Sequence, residues 1–190
     1  TFLDVLEKAG FCKNVSVFEE KNGKILLLPT IHKNVAIYGY PGKKSGLEVD
    51  DVERIIINDS PGLFKILMLH TTIKDAVGNL PIKSVNEKNL PKVQYLALSH
   101  LHIDYKKENI VYSGPIFPNN LSELEDLQGG SFYIYDQGVI RKQEIKPVEI
   151  VSANFEIKNS LEATEHIIKD LESRDLRNKV VIVRVSGILE

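Results

Sequence analysis

Apolar positions along the chain fall into short runs separated by polar turns. Residues 64–69 and 92–98 are almost unbroken apolar runs, the pattern of strands buried on both faces. The first ends on His70, the second on Ser99-His100. Residues 15–20 alternate and meet Asn22-Gly23, a hairpin signal, with a return strand at 25–28 and a further strand at 34–40. Apolar Leu47, Val49, Val52, Ile55 and Ile56 are spaced for an amphipathic helix over 47–58. Residues 1–10 predict a helix capped by Thr1, with Asp4 in the capping-box position and Gly10 at its end. An opening on a helix cap, without Met, reads as a piece of a longer chain cut just before that helix.

Beyond His102 the pattern becomes strand-rich. Strands are expected at 109–113, 131–137, 139–145 and 148–157, with a turn at Gln137-Gly138. A helix capped by Asn159 comes next, carrying Leu161, Ile167, Ile168 and Leu171, and then a β-branched strand at 179–189. Buried strands with intervening helices imply a layered α/β core over 1–140. Residues 141–190 read as a small α+β appendage.

Composition narrows the function classes. A formal net charge of −2 carries no electrostatic signature of nucleic-acid binding. A single cysteine, Cys12, excludes an internal disulfide framework and fits a reducing compartment. No apolar run approaches the roughly 20 residues that span a bilayer, and no signal peptide is visible.

The candidate chemistry lies in histidines. His70 and His100 come directly after buried runs, and ligands of open α/β sheets bind at the carboxyl ends of strands. His102 is two residues beyond His100; in extended backbone both would point to one side. Imidazole nitrogen suits manganese, iron or zinc, and a pair of such ions can clamp a phosphodiester and activate water. His32, in a loop, and His166, in the late helix, carry no assigned role. Lys106 and Lys107 come soon after the His pair and could contact DNA phosphate, while Lys43 and Lys44 occupy a Pro-Gly loop.

The segments Lys65-Ile66-Leu67-Met68-Leu69-His70 and Tyr95-Leu96-Ala97-Leu98-Ser99-His100-Leu101-His102 resemble the metal-binding strand ends of calcineurin-like metallophosphoesterases. The second is similar to that family's Gly-His-x-His motif, with Ser99 in place of Gly. Val111-Tyr112-Ser113-Gly114-Pro115 and Gly129-Gly130-Ser131-Phe132-Tyr133-Ile134 resemble segments of its SbcD-type double-strand-break-repair nuclease branch. The resemblance implies the C-terminal half of a layered metallophosphoesterase β-sandwich flanked by helices, plus a small α+β capping domain. It also implies His70 and His100 on one ion and His102 on another, with manganese as the metal. Asp-x-His, Gly-Asp and Gly-Asn-His-Asp motifs, which supply the bridging Asp and other ligands, do not occur in these residues. Three imidazoles alone cannot neutralise two divalent cations, so this stretch by itself is expected to be inactive and not to hold both ions. The implied partners are DNA, an ABC-type ATPase and a second copy of the chain, in the bacterial cytoplasm at the nucleoid or in a nucleus. A phosphodiesterase for nucleotides or small phosphoesters, and a non-catalytic scaffold, are the alternative expectations.

Overall fold

The structure is a computed structural model and describes residues 2–187. The cap expected at Thr1 and the strand end at Ile188 and Leu189 lie outside the described residues. The chain divides into two compact units, Thr1–Gly114 and Pro115–Glu190.

The first unit runs α1 (Phe2–Lys8), β1 (Phe18–Lys21), β2 (Lys24–Leu27), β3 (Thr30–His32), β4 (Val35–Tyr40), α2 (Glu48–Val52), β5 (Ile55–Ile57), β6 (Phe64–His70), α3 (Lys74–Val77), β7 (Tyr95–Ser99), β8 (Asp104–Lys107) and β9 (Ile110–Ser113). Asn22 and Gly23 take φ of +52° and +72°, the left-handed pair that a two-residue hairpin turn needs, and β1 and β2 pair antiparallel across them. β5 joins β2 in parallel to complete a three-stranded sheet. The larger sheet has the order β3-β4-β6-β7-β9-β8, with four parallel strands inside and an antiparallel strand at each edge. One core joins the two sheets: Ile25, Leu27 and Ile55 from the smaller pack with Ala36, Tyr38, Leu67, Leu69, Leu96 and Leu98 from the larger, and Val49 and Val52 of α2 enter the same cluster.

Three expectations change. The helix expected over 47–58 is five residues long, because Ile55-Ile56-Ile57 leaves it for β5. Of the five apolar residues that gave the spacing, Val49, Val52 and Ile55 are buried, while Leu47 and Ile56 are exposed. The β-branched triplet then favours pairing with β2 over another helical turn. β6 is not buried on both faces: Leu67 and Leu69 turn into the core, while Met68, on the opposite face, is 45% exposed. The edge strands β3 and β8 have no apolar run, which is why sequence pattern passes over them; His32 ends β3 rather than sitting in a loop.

The second unit contains α4 (Leu121–Leu127), β10 (Gly130–Asp136), β11 (Val139–Ile145), β12 (Glu149–Ile157), α5 (Ser160–Glu172) and β13 (Lys179–Gly187). β10 and β11 form a hairpin about Gln137 and Gly138, both at positive φ. β12 and β13 pair in parallel, and α5 lays Ala163, Ile167 and Leu171, spaced four apart, on Ala153, Phe155 and Ile157. The Asn159 side chain accepts the Leu161 N–H at 3.1 Å, as its capping role requires. The division falls at 114/115 rather than at the 140/141 boundary read from the sequence. The cause is local: Ser131 N–H donates to Pro115 O at 3.1 Å, and a Cβ on Gly130 would lie 2.7 Å from that oxygen. The hairpin is therefore seated on residues 115–116 and belongs to the second unit. Among the described residues no helix is long and apolar enough to cross a membrane.

Candidate metal centre

Parallel pairing of β6 with β7 sets His70 beside Ser99, so the two strands end together and His100 comes at once after them. The His70 ring is held between two partners. Its Nδ1 is 3.0 Å from Ser99 Oγ, and its Nε2 is 3.1 Å from His100 Nδ1. The two imidazoles meet edge to face, with centroids 5.0 Å apart. At 3.1 Å the two nitrogens share a hydrogen bond whose donor depends on the tautomer; the distance is also near the roughly 3.0 Å between two nitrogens bound about 2.1 Å from one ion at a right angle. A ligating imidazole usually donates its other ring N–H to a carboxylate, carbonyl or water, which fixes its tautomer and orientation; a hydroxyl oxygen can accept the same bond. Ser99, which reads in the sequence only as a departure from a glycine, supplies that hydroxyl.

His100 carries the backbone cost. Its φ is +110°, outside the regions comfortable for a residue with a Cβ, so the chain turns at His100 instead of continuing extended. The extended-backbone argument for His100 and His102 therefore fails. Strain of this kind, on the order of 1–3 kcal/mol, concentrates at functional sites. His102 lies in the turn between β7 and β8. It is close enough for its charge to act on His70, but among the described residues no group of three or more His, Cys, Asp or Glu side chains is arranged to hold an ion. The structure thus brings His70 and His100 into contact and leaves His102 beside them.

Burial, and then the neighbouring His100 and His102, hold the His70 pKa below the ordinary histidine value, against an opposing push from Glu48. A neutral imidazole near neutral pH is the form that binds metal.

The loop after β4 closes over the ring. A Cβ on Gly42 would come within 2.9 Å of His70 Cγ and closer still to Cδ2, so only glycine fits there. Beneath the loop, the Asp51 carboxylate accepts the Tyr40 hydroxyl at 2.8 Å and Arg54 Nη2 at 2.6 Å, and pairs with Lys43. Burial alone would raise the Asp51 pKa, but the bonds from Lys43, Arg54 and Tyr40 outweigh it and bring it down to about 2. Since an unfolded Asp titrates near 3.8, this stability is complete above that pH and is lost as pH falls from 3.8 to about 2. Asp51→Asn is expected to cost about 2 kcal/mol at pH 7 and to converge with the wild type near pH 2, as read from urea midpoints across that range.

The lysines divide. Lys107 Nζ is paired with Asp75 and, at 3.3 Å, with Glu87, and these carboxylates raise its pKa. Its charge is engaged by these two carboxylates at the surface. Lys106 lies on edge strand β8 opposite Val111. Lys43 is committed to Asp51. His166 packs edge-on against Phe155, an ordinary structural contact. A cavity of about 540 Å³ beside α1 is lined by Leu3, Glu7, Cys12, Val15 and Phe18 among others, with no histidine in its lining.

No family model matches the chain, and no curated protein matches it.

Proposed function

We propose that this chain is part of a metal-dependent phosphodiesterase of the DNA-repair nuclease type. The observation that carries the reading is the His70–His100 nitrogen pair, 3.1 Å apart at the ends of adjacent parallel strands, with Ser99 on the far nitrogen of His70. In this reading His70 and His100 hold one divalent ion, manganese by the family resemblance, and His102 serves a second. Bound there, such ions polarise a phosphate oxygen and make water nucleophilic near neutral pH. The chain's own part is to present imidazoles in fixed orientation. Lys106 and Lys107 are the candidate phosphate contacts, Lys107 while also paired with Asp75 and Glu87. DNA as substrate, an ABC-type ATPase and a second copy as partners, and a nucleoid or nuclear setting all rest on the resemblance.

The reading makes a quantitative demand. With two imidazoles converging and no third ligand among the described residues, the 190-residue chain is expected to bind about one equivalent of Mn(II) and to leave duplex DNA uncleaved. Calorimetry and a plasmid-nicking assay check both. Binding of two equivalents, or metal-dependent turnover, would overturn that expectation. The function itself is tested on the full open reading frame. Mn-dependent cleavage of duplex DNA, abolished by His100→Ala, supports the nuclease; activity confined to a small diester such as bis-p-nitrophenyl phosphate transfers it to a small-substrate phosphodiesterase; no cleavage of either rejects it.

A further inference from the structure

Glu48 is a carboxylate in an unusual place. It is 1% exposed, at the start of α2, whereas buried glutamates are rare unless their oxygens have partners. Its Oε2 accepts the backbone N–H of Lys43 at 3.3 Å. Lys43 is the residue after Gly42, and Gly42 is the residue whose backbone lies against the His70 ring. The negative charge of Glu48 also acts on His70, which places the carboxylate near the imidazole as well as under the loop. A bond from a buried side chain to an exposed loop restricts that loop more than a surface contact does, since the buried partner cannot turn to water instead.

We propose that Glu48 is the positioning residue of the candidate metal centre: by holding the Lys43 N–H it keeps Gly42 on the His70 ring and so fixes the Nε2 that faces His100. Gly42 stops the ring from rotating on one side, and Ser99 and His100 fix its two nitrogens on the other. The proposal rests on the reading of His70 and His100 as ion ligands, but its mechanical half can be measured without metal.

Two variants of the 190-residue chain separate the possibilities. Glu48→Gln keeps the reach and the acceptor oxygen and removes the charge. Glu48→Asp keeps the charge and withdraws the acceptor by one methylene. In metal-free protein, below the unfolding midpoint, long-range ¹H–¹⁵N spectra report the tautomer of the His70 ring. A single tautomer is expected in the wild type and in Glu48→Gln, and a mixture in Glu48→Asp. Co(II) affinity, followed by its visible absorption, is expected to stay within about threefold in Glu48→Gln and to fall about tenfold or more in Glu48→Asp, the range for partners that orient a ligand. The reverse order would mean that charge, not the bond to Lys43, matters, and would overturn the proposal. So would a lowered melting temperature with ring and affinity unchanged, the mark of a merely structural residue. If the wild type binds no Co(II) while Glu48→Asp still scrambles the ring, the ion reading fails and the positioning role stands.

Discussion

His100→Ala is expected to weaken Mn(II) or Co(II) binding by about 100-fold, close to 2.8 kcal/mol at 1.4 kcal/mol per factor of ten. It removes one of the two nitrogens that converge at 3.1 Å and leaves His70 Nε2 facing a gap. Stability should move the other way. At φ of +110° any side chain is strained, so His100→Gly loses the ion yet should gain about 1 kcal/mol in urea unfolding. A variant that is more stable and cannot bind metal would separate a strained ligand from a structural turn. Calorimetry and denaturation on the same preparation decide it. The pH dependence has a fixed sign. The His70 pKa is lowered on folding, through burial first and then His100 and His102. Below the ordinary histidine value of 6.5 the unfolded chain therefore takes up a proton that the native ring resists. This contribution is complete above pH 6.5 and declines as pH falls from there toward the lowered folded value. Metal affinity should decline in the same direction, because the proton and the ion compete for Nε2.

Tyr112→Ala is expected to destabilise the first unit by about 3–5 kcal/mol, the range for deleting a buried aromatic side chain. Tyr112 is fully buried, and its hydroxyl makes two bonds at once: it donates to Thr71 O at 2.8 Å and accepts Ile73 N–H at 3.0 Å. Both partners lie in the segment just after His70, so a side chain on β9 holds the backbone that leaves the candidate site. Tyr112→Phe keeps the ring and removes only these bonds. It should cost about 2 kcal/mol, because a buried N–H and a buried C=O lose a partner. The two variants, compared by urea midpoint at constant slope, divide the effect between cavity and hydrogen bonds. The Phe variant should also bind Mn(II) more weakly than its stability alone explains, since Thr71 is the next residue after His70. Unchanged affinity would mean that the 71–73 segment does not transmit to the site. Burial raises the Tyr112 pKa, so the phenol stays protonated and the bonding pattern is constant over any working pH.

Much of the site could be read along the chain because its chemistry is local. Two apolar runs ending on His70 and His100 mark strand ends, and the structure has them adjacent and parallel. The Asn22-Gly23 turn, the Asn159 cap and the Gln137-Gly138 hairpin were legible for the same reason: each is set by the φ preference or the short side chain of one or two residues. The fate of Ile55-Ile56-Ile57 was not legible. Helical spacing and a β-branched triplet pointed different ways, and the free edge of β2 decided between them. Glu48 and Gly42 were missed because neither has a partner nearby in sequence that explains it. Glu48 reads as the first-turn acid of a helix and Gly42 as a loop glycine, until the His70 ring comes to lie against that loop. Nor was it legible that Lys107 pairs with Asp75 and Glu87, 32 and 20 residues away, since nothing local marks that pairing.

By itself, then, the sequence determined which residues could act: imidazoles at strand ends, turn formers at the hairpins, β-branched and apolar runs for the sheets. These depend on properties a residue carries wherever it is. Tertiary structure alone decided the rest. It brought His70 Nε2 to 3.1 Å from His100 Nδ1, turned the backbone at His100, and set Ser99 and Gly42 against the ring, with Glu48 bonded to the residue after Gly42. The physical reason is that strand order and register are set by the whole buried core, and a distance between side chains 30 residues apart is fixed only when that core closes.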